Sequence, residues 1–196
     1  MNPPAEASPR ERIIAAALAA FAEHGYAAAS VQQVAERAGM SKQALLHHYP
    51  SKAALRDGVY ALLAARLRER FPPIAGELIG RDRRRYALVV TDVFKRFCAA
   101  PDVARFVVFE LLEAPDQLLG WIRDEAAPWL GLLIGVAEQW RTSTDDPTED
   151  AEAMTVSILL TMLAHSALVP AEDPALRRRT LDEALALLLR GGRMLD

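Results

Sequence analysis

Gln43 and His47 stand four residues apart in the run KQALLHHY, and both side chains can hydrogen-bond the edges of bases. On a helix, at about 100° per residue, the two share one side. Ala44 lies on their flank and is small enough to sit against a thymine methyl. Leu45 and Tyr49, also one turn apart, fall on the opposite side. The segment therefore reads as a short helix with an apolar face inward and a base-reading face outward. The stretch 30–52, SVQQVAERAGMSKQALLHHYPSK, supplies its frame. Ser30 is an N-cap candidate, because its hydroxyl accepts a free backbone N–H of a first turn. Val31, Val34, Ala35 and Ala38 follow with the spacing of one helical stripe. Gly39 can turn left-handed and end that helix, and Met40 is an apolar plug in the turn. Ser41 caps the second helix, and Pro50 ends it by disfavouring helical geometry in the residue before it. Two short helices around a glycine turn make a helix-turn-helix, whose second helix enters a DNA major groove. The plainer alternative is a solvated helix in an ordinary helical bundle, with Gln43 and His47 merely at its surface.

Other chemistry finds little footing. There is no glycine-rich phosphate loop, no HExxH and no nucleophile elbow. His47 and His48 are adjacent rather than one turn apart, which is wrong for a zinc pair on a helix. The acidic run TSTDDPTED over 142–150 lacks the ligand spacing of a calcium loop and reads as solvated. Cys98 is the one cysteine, so neither an internal disulfide nor a cysteine zinc site is available. Arginine runs at 83–85 and 177–179 have acidic neighbours and read as solvated helix faces. No metal or cofactor is expected.

The residues around the reading helix resemble the DNA-binding domain of the TetR family of transcriptional repressors over about 10–59. The matching positions are Ile13, Ala17, Phe21, Gly25 and Tyr26, then Ser30, Val34, Ala35, Ala38, Gly39, Met40, Ser41, Leu45, Tyr49, Ser51, Lys52 and Leu55. Leu46 stands where the family usually has a tyrosine that contacts phosphate, Gln43 where a small residue is common, and Ala53 where an acidic residue is usual. The absent tyrosine hydroxyl removes one phosphate contact and leaves the fold untouched. The resemblance covers about a quarter of the chain. It implies an all-α fold of about nine helices: an N-terminal three-helix helix-turn-helix domain over 1–52, then a larger helical effector-binding and dimerisation domain over 53–196. The wheel and the resemblance together assign base reading to Gln43 and His47, and phosphate holding to Ser30, Ser41, His48 and Lys52. Gln32, Lys42 and Ala44 complete the DNA-binding set.

Composition allows this division. Of the 196 residues 52% are hydrophobic, ample for a core, and the net charge is −3. Residues 1–56 hold six Lys/Arg against four Asp/Glu, whereas 57–196 hold 17 against 22, so the acidic balance lies away from the reading helix. No signal peptide begins the chain, and the cytoplasm is the expected compartment.

The elements that must position the reading helix follow in order. Residues 1–8 read as a loose arm. Ser8, Pro9 and Glu11 spell a capping box with proline at the first helical position. Ile13, Ile14, Ala17, Leu18 and Phe21 form the apolar face of a first helix ending at Gly25. A long helix is expected over 52–70, about 28 Å of rod, stopped by Phe71-Pro72-Pro73, with a short helical turn over 74–80. Helices are also expected over 82–99, 102–114 and 116–141, the last kinked or broken by Pro128. Residues 153–171 carry no charged side chain, but Thr155, Ser157, Thr161, His165, Ser166 and Pro170 interrupt them, and no basic flank marks a membrane topology. A helix apolar on nearly every side is otherwise buried on nearly every side. With a last helix over 175–190, it suggests pairing of two subunits, and the family resemblance assigns the dimer's four-helix bundle to these two helices. Phe94, Phe97, Phe106, Phe109, Trp121 and Trp129 are core aromatics by default. Phe97, Phe109, Trp121, Trp129, Met162 and His165 are the candidate lining of a ligand cavity; for His165 a core histidine with one hydrogen bond is the plainer reading.

The expected protein is a homodimeric, ligand-responsive repressor of near-palindromic, double-stranded operator DNA. Its small-molecule effector is unknown, and it is neither an enzyme nor a membrane protein. Two alternatives stand beside it: a DNA-binding dimer without a small-molecule effector, and a helical enzyme in which the helix-turn-helix is incidental.

Overall fold

The computed structural model describes residues 8–78 and 100–128, with side chains through 69 in the first stretch, and the isolated positions 131, 175 and 179. The helices expected over 82–99, 153–171 and 175–190, and the candidate residues Phe97, Trp129, Met162 and His165, lie outside the described residues. Among the described residues there is no strand, and the helices run α1 (Pro9–Ala28), α2 (Val31–Arg37), α3 (Lys42–His48), α4 (Lys52–Leu78), α5 (Pro101–Glu113) and α6 (Pro115–Trp121), followed by a π-helical turn (Ile122–Ala126).

Helix α1 starts where the capping box places it. The Ser8 hydroxyl oxygen accepts the Glu11 N–H at 3.3 Å, and the Glu11 carboxylate accepts the Ser8 N–H at 2.7 Å. The bond from the Ser8 N–H, helped by the Ser8 hydroxyl, holds the Glu11 carboxyl below the usual carboxylate range. Ile13, Ile14, Ala17, Leu18 and Phe21 are buried, so the stripe of α1 is its packed face. At Gly25 the backbone leaves the helix with φ 77° and ψ 163°, and one further turn follows before Ala29. Residues with a side chain rarely adopt that φ.

One expectation for the later helices fails, and another gains detail. Helix α4 does not stop before Pro72 but runs 27 residues to Leu78, about 40 Å of rod rather than 28. Proline's locked φ lies in the helical range, so Pro72 and Pro73 withhold two backbone N–H donors without turning the chain out of its helical path. The expected helix over 116–141 is described as far as Pro128 and carries a π-helical turn just ahead of that proline. Its first part, α6, gives way at Ile122 to a π-helical turn in which the Ala127 N–H bonds the Ile122 carbonyl. Pro128 has no N–H to bond the carbonyl of Asp124, and the wider turn lies just ahead of it.

One buried cluster runs through all six helices. Ile13 and Phe21 of α1, Val34 of α2, Leu45 of α3, Leu55 and Val59 of α4, Phe106 of α5 and Leu118 of α6 are each at most 2% exposed within it. Helix α5 packs directly on α1, as α4 does, and α6 joins the cluster beside α5.

Candidate nucleic-acid interface

The helix-turn-helix assembles from local rules. The Ser30 hydroxyl oxygen accepts the Gln33 N–H at 3.2 Å, while the Gln33 side-chain oxygen accepts the Ser30 N–H at 2.7 Å, a full capping box on α2. At the other end Gly39 takes φ 70°, the Met40 N–H reaches the Ala35 carbonyl at 3.0 Å, and the Gly39 N–H reaches Glu36 at 3.1 Å. This pair of bonds is a Schellman closure, which needs the left-handed residue that glycine supplies. Met40 packs half-buried against the core, as an apolar plug would. The Ser41 hydroxyl oxygen then accepts the Ala44 N–H at 3.1 Å and starts α3.

Helix α3 presents the two faces read from its sequence. Leu45 is 0% exposed and Tyr49 packs against the same cluster, whereas Lys42, Gln43, Ala44 and His47 are exposed. His48 is half-buried, with its ring edge-on to His47 at 5.9 Å. The guanidinium of Arg10 lies 5.8 Å from the Tyr49 ring centre, a cation over the inward aromatic from the first turn of α1. Gln32 is exposed on α2, and its amide donates to Glu36 at 2.7 Å. Arg37 bonds Glu23 across from α1, and this guanidinium holds the Glu23 carboxyl below its usual range.

Lys52 occupies a different setting from the free phosphate-facing ammonium expected of it. It opens α4 half-buried, donates from Nζ to the Ala27 carbonyl at 3.0 Å, and lies 4.6 Å from the Tyr26 ring centre. An ammonium has three N–H donors, so a phosphate would share this group with the turn that precedes α2. Ser30 and Ser41 likewise spend their acceptor oxygens on caps and keep their O–H donors.

Behind the reading head lies a cluster that the sequence does not announce. Glu110 of α5 is 1% exposed and accepts the Tyr60 hydroxyl at 2.6 Å, with an Arg56 nitrogen at 4.0 Å. Burial raises the Glu110 carboxyl above its usual range, against the Tyr60 bond and the Arg56 charge, which lower it; the nearby Glu113 adds to the rise. Burial and this carboxylate push the Tyr60 phenol up, so it remains a donor. The Arg56 guanidinium also covers the Tyr26 ring at 4.0 Å. One turn along α5 from Glu110, Glu113 accepts the Ala27 N–H at 2.9 Å. Rings link the parts: Tyr26 to Phe21 at 5.5 Å, Phe21 to Phe106 at 6.3 Å, Phe106 to Tyr60 at 5.5 Å and Tyr60 to Trp121 at 5.6 Å. Of the candidate ligand residues, Trp121 ends this series, and its indole nitrogen is buried with no hydrogen-bond partner among the described residues. Phe109 lies instead against Gly25, at the reading head's side of α5. Among the described residues no His, Cys, Asp or Glu group could hold a metal, and no helix is long and apolar enough to cross a membrane.

Residues 13–59 match the family model described as bacterial regulatory proteins, tetR family. The chain is 29% identical over 181 residues to the HTH-type transcriptional repressor Rv1474c of Mycobacterium tuberculosis, covering 90% of each. Its fold matches AibR, solved in complex with isovaleryl coenzyme A and operator DNA, at TM-score 0.72 and 15% identity over 92% of this chain and 97% of that one. It also matches FadR of Bacillus subtilis, solved with stearoyl-CoA, at TM-score 0.65 and 18% identity over 92% and 97%. These two structures bear on the fold alone. The capped helix-turn-helix lies inside the residues that match the tetR family model, and the chain is similar along nine-tenths of its length to a TetR-type transcriptional repressor.

Proposed function

We propose that the protein is a homodimeric repressor that reads near-palindromic operator DNA with α3 and releases it when a small molecule binds its helical C-terminal part. The observation that carries the reading is the two-faced α3: Leu45 fixed at 0% exposure, and Gln43, Ala44 and His47 exposed on the other side. A helix held by a buried leucine has a set orientation, which base recognition requires. Gln43 and His47 read base edges, Ala44 meets a thymine methyl, and Ser30, Gln32, Ser41, Lys42, His48 and Lys52 contribute to the phosphate contacts that set the register. The working parts are residues 1–52 for DNA and 53–196 for effector and pairing, joined through the shared core. The protein works by binding rather than turnover, in the cytoplasm.

The effector site belongs to the second part, with Trp121 as one wall; its buried indole N–H has no hydrogen-bond partner among the described residues and can donate to a ligand acceptor. AibR and FadR share this fold and carry acyl-CoA thioesters, so acyl-CoAs are the first class to assay. Any effector must bind the non-reading arrangement more tightly, since equal affinity for both shifts nothing. Operator and effector then weaken one another by the same factor. Mobility-shift titration of the chain's own upstream region, with and without a panel of acyl-CoAs of increasing length, tests both halves. A retarded band that one member of the panel abolishes is expected. A band that no DNA produces rejects the reading head.

A further inference from the structure

Both backbone groups of Ala27 are held from outside its own segment. Its N–H is bonded by the Glu113 carboxylate of α5 at 2.9 Å, and its carbonyl by the Lys52 ammonium of α4 at 3.0 Å. Ala27 lies three residues before the Ser30 cap of α2, and Lys52 four residues after the last residue of α3. The clamp thus closes around the two ends of the helix-turn-helix. The seat is shaped for a carboxylate: a Cβ at Gly25 would collide with Glu113 Oε1 and come within 3.0 Å of Phe109. Glu113 therefore enters the space that the glycine leaves. One turn earlier on α5, Glu110 is anchored to Tyr60 of α4 at 2.6 Å. Helix α5 is fixed to α4 by one carboxylate and to the turn before α2 by the other. An ionised acceptor on a backbone N–H gives a strong and directional bond.

We propose that Glu113 is a positioning residue: through Ala27 it fixes the angle of α3 relative to α5, and so sets the half-site separation that the dimer accepts. This rests on the DNA-reading function proposed above. Without the bond, the turn at 25–29 keeps Lys52 and the packing of Tyr26 and Ala29 but loses its directional tie to α5; the reading head gains freedom relative to α5, and each dimer tolerates a wider range of separations. Glu113 touches no DNA in this scheme, so the number of phosphate contacts is unchanged when it is replaced.

The test uses the full chain. Wild type first selects its preferred duplex from a randomised library, and that site is then rebuilt with its half-sites moved apart or together base pair by base pair. Glu113→Ala is expected to broaden the separation profile and to weaken the best site by about tenfold, the size of one charge-assisted hydrogen bond. The dependence of affinity on salt should keep its wild-type slope. Glu113→Gln keeps an acceptor oxygen for the Ala27 N–H and should restore the wild-type profile. A profile for Glu113→Ala that matches wild type, even with a lowered melting temperature, overturns the positioning role. So does a flattened salt slope, which would make Glu113 act on phosphate contacts. If wild type selects no DNA at all, the reading head itself fails and the proposal with it.

Discussion

Gln43 and Lys52 are separated by nine positions and should fail in different ways. On the proposed reading Gln43 contacts a base, so Gln43→Ala should relax preference at particular operator positions by about 1–3 kcal/mol. Lys52→Ala should weaken every sequence alike and reduce the salt slope by about one. Because Lys52 also bonds the Ala27 carbonyl, the same substitution should lower the melting temperature, which a purely phosphate-facing lysine would not do. Binding profiles over randomised duplexes, with a melting curve for each variant, separate these effects. Glu110 offers a pH test. Its folded-state pKa lies above the ordinary carboxylate value of 4.5 because the charged form is buried. The folded protein therefore holds this proton more tightly than the unfolded chain. The stability so gained is full below the ordinary value and is lost as pH rises through the raised one. Glu110→Gln, whose amide oxygen can still accept the Tyr60 hydroxyl, should gain in melting temperature relative to wild type as the pH is raised from about 4.5 to 8. A difference that stays constant with pH would show that the Glu110 carboxyl does not titrate in that window.

The helices show why some of this was legible from residue order and some was not. Caps work across three positions, so Ser8 with Glu11, Ser30 with Gln33, and Ser41 before Ala44 could be read directly, as could the glycine that closes α2. The two faces of α3 follow from the helical period alone. Glu110 and Glu113 find their partners 50 and 86 residues away, and no local period reveals such pairings. Charged residues on a predicted amphipathic helix read as solvated, whereas Glu110 is 1% exposed. The reach of α4 past Pro72 is hidden from the sequence for a related reason, since a proline weighs against a helix locally while the fold keeps the helix running. Residue type alone groups Phe109 and Trp121 as candidate cavity aromatics; the fold places Phe109 beside Gly25 and Trp121 beside Tyr60. The two positive-φ glycines among the described residues sharpen the point. A Cβ at Gly39 meets nothing within 4 Å, so Gly39→Ala should cost only the left-handed backbone, about 1–2 kcal/mol. Gly25→Ala adds a collision with Glu113 and Phe109 and should cost clearly more. Equal losses in chemical denaturation would mean that α5 does not press on that turn.

A single α3 touches only a few base pairs, so specificity demands two copies held in register. Two reading heads on one duplex should place their half-site centres about 34–36 Å apart, or a multiple of that. The shared core from α1 to α6 makes each head continuous with the helices behind it, so the separation is a property of the whole dimer. Wild type should sediment as a dimer at micromolar concentration. The most direct measurement is selection by the wild-type protein from fully randomised duplex DNA, run beside Gln43→Ala/His47→Ala. Wild type should enrich a near-palindrome with half-sites one helical turn apart or a multiple, and the double variant should lose that enrichment while keeping its melting temperature. No enrichment by wild type, or the same enrichment by the double variant, would contradict base reading by the outer face of α3.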